Sequence, residues 1–159
     1  MPLDAVVIDE RTLEQGSDAR RIEWEANIRE FLTQAKDSVT DGATELHIGV
    51  TEQHFLMRLN NNAGTEIARK TITHDLLADH ITEYVDIVRQ IADAQGLNQL
   101  EALDMAKKVT HDRAGRTLKK ELRPFGVDHE ASRRLFTLLL SLRVDTTRLV
   151  GIHGHRTIR

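Results

Sequence analysis

The spacing of apolar residues changes repeatedly along this chain, and each change marks an element. Residues 5 to 9, AVVID, form a short β-branched run ended by charge and predict a first strand. Ser17 is placed to cap a helix from about Asp18 to Lys36, because Trp24, Ile28, Phe31, Leu32 and Ala35 then recur at three and four and make one stripe. After this helix the period drops to about 2. Leu46, Ile48 and Val50 alternate with Glu45, His47 and Gly49, and Phe55, Met57 and Leu59 alternate likewise after a turn at Glu52 to His54. Asn60 to Gly64 is rich in residues that accept positive φ and predicts a second turn, followed by a strand from Glu66 to Ile72.

From Asp75 the helical period returns, with Leu77, Ile81, Tyr84, Val85, Val88, Ile91 and Ala92 on one face and Gly96 where a C-terminal glycine belongs. Leu97-Asn98 with Glu101 reads as a capping box that starts another helix. Its stripe breaks over Val109 to Arg113, where THDRAG supplies poor helix formers, so a bend or short loop is expected at His111 before the pattern resumes with Ala114, Leu118 and Leu122. Pro124 and Gly126 stop that helix, Asp128 can cap the next, and ASRRLFTLLLSL is apolar on so many sides that it predicts the central buried helix. Residues 144 to 159 lack periodicity and form a C-terminal tail that frays or covers a partner.

These elements predict an α+β fold: residues 1–143 as a two-layer single domain, a small antiparallel meander of three to four strands packed against four to five helices. Composition narrows the functional classes. The chain has 159 residues and no cysteine, which excludes a disulfide scaffold, a thiolate nucleophile and a Cys-ligated zinc or iron-sulfur site. The first residues, MPLDAVVIDE, are acidic where a secretory signal needs a basic stretch, and LFTLLLSL is too short to span a bilayer, so a cytoplasmic protein is expected. There is no GXSXG elbow, no GXGXXG and no GXXXXGK[ST], so no nucleotide or other cofactor is expected.

Taken in order, VVIDE, the helix with Glu23 and Glu25, the strand-turn-strand block ending at Ile72, the Ile81 to Tyr84 segment, LDM at 103–105, His111 followed by TL at 117–118, and RRLFTL at 133–138 are similar to a small bacterial uncharacterised protein family (UPF, number two-six-two). The resemblance runs over about the first 143 residues. It departs from the family after His111, where this chain reads DRAGR instead of a small, less basic stretch. It implies a bacterial cytosolic setting and no assigned reaction.

Three constellations are candidates for chemistry. Asp104, His111 and Asp112 lie within two helical turns, so carboxylates and an imidazole could share a proton or a metal in a small hydrolase; the competing reading is surface groups with Asp112 restarting the helix. His153 and His155 in the tail, with His74-Asp75 and Asp79-His80, contain metal-ligand types without a recognised zinc spacing; the competing reading is an acidic first turn facing the helix dipole. The third is Arg113, Arg116, Lys119, Lys120 and Arg123, which fall within about 120° of one helical face.

Net charge sharpens that last feature. Residues 1–96 hold 18 acids and 9 bases, and residues 97–159 hold 7 acids and 13 bases, so the overall −3 is the sum of −9 and +6. The positive segment either folds onto its acidic neighbour, in cis or in an oligomer, or binds an external polyanion, with Lys107, Lys108, Arg133, Arg134 and Arg143 extending the surface. The leading expectation is a non-enzymatic interaction or regulatory module that binds an acidic protein or a nucleic-acid phosphate backbone through this helix. A homodimer is expected because one small sheet does not cover so apolar a C-terminal helix.

Overall fold

The computed structural model describes residues 2–9, 17–35 and 38–147. The chain runs β1 (Ala5–Ile8), α1 (Asp18–Ala35), β2 (Ala43–Val50), β3 (His54–Asn61), β4 (Glu66–Thr73), α2 (His74–Ala92), α3 (Leu97–Glu121), a 3-10 turn (Arg123–Phe125) and α4 (His129–Arg143). It is an α+β fold with one hydrophobic core shared by sheet and helices.

Strict alternation puts Leu46, Ile48, Phe55, Met57 and Leu59 on the buried face of the sheet. The β2–β3–β4 meander is antiparallel and closes on Asn61, whose Oδ1 accepts the N–H groups of Ala63 and Thr65 at 2.9 Å each. Gly64 follows at φ +83°, a left-handed position that favours glycine. The sheet is not purely antiparallel, because β1 pairs in parallel with β2, from Ala5 opposite Glu45 to Ile8 opposite Ile48. A parallel neighbour requires a crossover, and α1 supplies it.

Helix α4 packs against both α1 and α3, and α2 packs against α3. Nine of its residues are buried, from Ala131 to Leu142, so its apolar surface is covered within the chain and the reason given for a homodimer falls away. Asp128 caps it through a 2.8 Å bond from the Ala131 N–H, and Trp24 Nε1–H of α1 donates to the Ser141 carbonyl at 2.9 Å. Ser17 caps α1 as expected, accepting the Arg20 N–H at 3.2 Å.

The differences concentrate on α3. Gly96 does not close α2, which ends at Ala92 with Asp93 as its C-cap; it is the N-cap of α3, at φ +89°. The expected capping box at Asn98 and Glu101 is displaced, and Gln99 Oε1 accepts the Gln95 N–H at 2.8 Å. No bend occurs at His111, since α3 is one helix of 25 residues. The poor helix formers are there for packing: Thr110 is buried, and Gly115 lies so close to α4 that a Cβ would stand 2.6 Å from Arg133 Cγ. Tertiary contact overrides the propensity cost of about 1 kcal/mol for such a glycine. Arg123 leaves the helix and sits in the 3-10 turn, because Pro124 cannot continue α3. No helix among the described residues is long and apolar enough to cross a membrane. The expected tail lies outside the described residues from 148 onward, His153 and His155 with it.

Candidate functional site

Polar residues at the seam of α2, α3 and α4 are linked by hydrogen bonds and ion pairs. Glu83 of α2 accepts hydrogen bonds from Thr110 Oγ1–H and from the Arg113 guanidinium of α3, first the hydroxyl and then the cation holding its carboxyl below the usual range. One turn earlier on α2, His80 Nε2 stands 3.1 Å from Thr117 Oγ1.

His111 faces α4. A guanidinium can only donate, so the 3.2 Å contact from Arg133 Nη2 makes His111 Nδ1 an acceptor and places the proton on Nε2. That Nε2–H then donates to the Arg133 carbonyl at 2.8 Å, with Thr137 Oγ1 at 2.9 Å. Burial, and then the neighbouring Arg133 charge, push its pKa down to about 4. His111 is therefore neutral at neutral pH, flanked by Tyr84 and Phe136 with centroids at 6.0 and 5.8 Å, and both ring nitrogens are occupied.

The structure does not gather Asp104, His111 and Asp112. Asp104 is exposed two turns upstream on α3. Asp112 turns instead toward His129 at the start of α4, with 2.6 Å between its Oδ1 and Nε2, and toward Arg116 at 2.7 Å. The His129 hydrogen bond, then the Arg116 charge, hold the Asp112 carboxyl below its ordinary value. The tail constellation is likewise dispersed where it is described: His74 Nε2 is 2.7 Å from the Thr51 carbonyl and the ring packs edge-on against Phe55, while His80 faces Thr117. Among the described residues no group of three or more His, Asp or Glu is placed to hold a metal ion.

What α3 and α4 do bring together is charge. An open depression of about 660 Å³ between them is lined by Lys108, Val109, Asp112, Arg113, Arg116 and Arg133, four cations against one carboxylate. Lys108, Asp112, Arg116 and Lys120 succeed one another at four-residue intervals, so the charged face of α3 continues past the depression to the exposed Lys119 and Lys120. Arg113 is paired to Glu83 and Arg133 to Glu130, whereas Lys107, Lys108, Lys119, Lys120 and Arg123 form no ion pair among the described residues. The acidic half of the chain thus neutralises Arg113 in cis and leaves most of the stripe to solvent. Arg133 was legible only as an extension of the basic surface, and His129 gave no sequence signal at all, because it meets Asp112 across a helix pairing.

Comparison with known proteins adds a family. Residues 2–145 match the Uncharacterised protein family (UPF0262). The chain belongs to this family. A UPF0262 protein of Bradyrhizobium sp. strain BTAi1 is 28% identical over 148 residues, covering 87% of either chain. A UPF0262 protein of Rhodopseudomonas palustris strain BisB5 is 30% identical over 148 residues, covering 85% of this chain and 87% of the relative. No solved structure matches the chain. UPF0262 is a bacterial family with no assigned activity, so the chemistry of this member rests on its own residues.

Proposed function

We propose that this protein is a cytoplasmic binding module that docks an acidic or phosphate-bearing partner on the basic surface of α3 and α4. The observation that carries the reading is the depression lined by Lys108, Arg113, Arg116 and Arg133 and continued by Lys119 and Lys120, of which Lys108, Lys119 and Lys120 have no acid of the chain set against them among the described residues. Six cations along two helices give a long positive strip, and no aromatic ring lines the depression. Such a strip grips carboxylates and phosphates and cannot stack bases, so recognition runs through charge and shape.

The test is a fluorescence anisotropy titration with a labelled polyglutamate peptide and a labelled single-stranded oligonucleotide at low salt. The wild-type protein binds at least one of them, and Arg116→Glu with Lys120→Glu weakens that binding by tenfold or more, at about 1.4 kcal/mol for each factor of ten. Equal binding by the folded double variant would refute the reading. A homodimer remains part of the proposal through the N-terminal part of the same helix face, where Leu97, Met105 and Val109 are exposed by 67%, 63% and 50% and Val109 borders the depression. An acid-base alternative moves from Asp104 and His111 to Asp112 and His129, favoured by their 2.6 Å contact at the rim of the depression. Hydrolysis of a generic phosphate or carboxylic ester that disappears in His129→Gln would support it.

A further inference from the structure

The sheet has a second face, turned away from the helices, and its residues are the complement of the core positions. Strand register lines up Val7, His47, Arg58 and Arg69 in one row across all four strands. The next row toward the β1 C-terminal end places Gly49 beside Leu56 and Leu56 beside Thr71. Between the rows lies a cavity of about 440 Å³, bounded by Val7, Asp9, His47, Leu56, Arg58, Arg69 and Thr71, with the backbone of Ile48, Gly49 and Met57 along its floor. That volume suits a small organic molecule.

Three features of this cavity point to an anion. Arg58 and Arg69 stand directly opposite each other on β3 and β4, and like charges so placed repel. Arg69 and His47, the two residues flanking Arg58 in the row, are compensated: Arg69 forms a forked pair with Glu66, at 3.1 and 3.2 Å from Nε and 2.7 Å from Nη2, and His47 lies 3.0 Å from Glu45. Arg58, in the middle of the row, forms no hydrogen bond or salt bridge among the described residues, and its charge reaches the Glu66 carboxylate only through space. Gly49 adds a fourth feature of a different kind. It sits inside β2 with no positive φ and no register shift, so neither a left-handed turn nor a bulge explains it, and it leaves this part of the cavity wall without a side chain.

We infer that this cavity binds a small organic anion, a carboxylate or a phosphate ester, with its anionic group between Arg58 and Arg69 and its apolar body over Gly49 between Val7 and Leu56. The Thr71 hydroxyl provides a further donor at the anionic end. Asp9 bounds the cavity at the β1 end, so the anionic group lies toward β3 and β4. The site is separate from the basic surface of α3 and α4, and neither reading depends on the other.

The experiment is a ¹⁵N–¹H correlation titration of the full chain with inorganic phosphate and, separately, benzoate. Saturable shifts of the amides at residues 47–49, 56–58 and 69–71 are expected. Arg58→Gln weakens the effective probe about tenfold or more, the size of one charge-assisted hydrogen bond, and Arg58→Lys restores part of it. Lys119→Gln with Lys120→Gln leaves it unchanged. The source of the anion shows in a second comparison: saturable benzoate binding that Leu56→Ala weakens assigns the cavity to a carboxylate with an apolar body, whereas saturable phosphate binding without benzoate binding assigns it to a phosphate group. Shifts confined to α3, no saturation with either probe, or equal binding by Arg58→Gln would each overturn the inference.

Discussion

Replacing Gly115 by alanine inverts an ordinary rule. In an unconstrained helix interior the exchange stabilises by about 1 kcal/mol, because alanine gives up less backbone freedom on folding. At Gly115 the new Cβ would lie 2.6 Å from Arg133 Cγ and 3.3 Å from both the Cα and the N of the same residue. Ordinary carbon contacts fall at about 3.5–4.0 Å, so the shortfall against Cγ is about 1 Å. Swinging the Arg133 side chain away does not relieve it fully, since two of the close atoms are backbone and the guanidinium is held by Glu130 at 3.0 Å and His111 at 3.2 Å. The helices must separate, and overpacking of this kind costs about 1–3 kcal/mol. Set against the propensity gain, Gly115→Ala is expected to lose up to about 2 kcal/mol in urea denaturation. Ala102→Gly, at an exposed position of the same helix, calibrates the ordinary rule and should lose about 1 kcal/mol. A gain of stability at Gly115 would refute the close α3–α4 contact, and with it the tertiary reason for a glycine in the continuous helix that carries the basic stripe.

Other consequences follow from single groups. Asp128→Ala removes the α4 cap and should cost about 1 kcal/mol by denaturant unfolding, whereas Asp128→Asn should cost much less. His111 has a folded pKa of about 4 against an unfolded value near 6.5. A depressed histidine favours the fold while it is neutral, so its contribution is complete above the unfolded pKa and is lost as pH falls toward the folded one. Its imidazole resonances should therefore remain those of the neutral Nε2–H form at pH 6, and titration near 6.5 would contradict the Arg133 contact. Met105→Glu, on the exposed apolar line of α3, should halve the molar mass seen by light scattering if the proposed dimer forms there, with unchanged helix content.

Elements whose partners lie next to them in the sequence were readable from it. The meander, α2 and α4 each show one period over their whole length, and Asp128 and Ser17 cap their helices through bonds within three residues. What the pattern could not show depends on distant packing. Thr110 and Gly115 look like helix breakers until Glu83 and Arg133 are placed beside them, and Gly96 looks like the end of α2 although it begins α3. Parallel pairing of β1 is invisible in a run of four residues. The site followed the same rule: the basic residues of α3 were legible by helical spacing, but Asp112 meeting His129, and His111 turning to Arg133, required α4 to be in place. The anion cavity was present in the alternation all along, in the positions left over once the core was chosen. Reading it needed the strand register that sets Arg58 against Arg69.

The most direct measurement of the basic surface is the salt dependence of oligonucleotide binding, compared between the wild-type protein and Arg116→Gln with Lys120→Gln. Each cation that contacts a phosphate contributes about 0.7–0.9 to the slope of log affinity against log salt concentration. The proposal predicts a slope shallower by about 1.4–1.8 in the double variant, together with weaker binding. Identical slopes and affinities would place the contacts elsewhere on the molecule and contradict it.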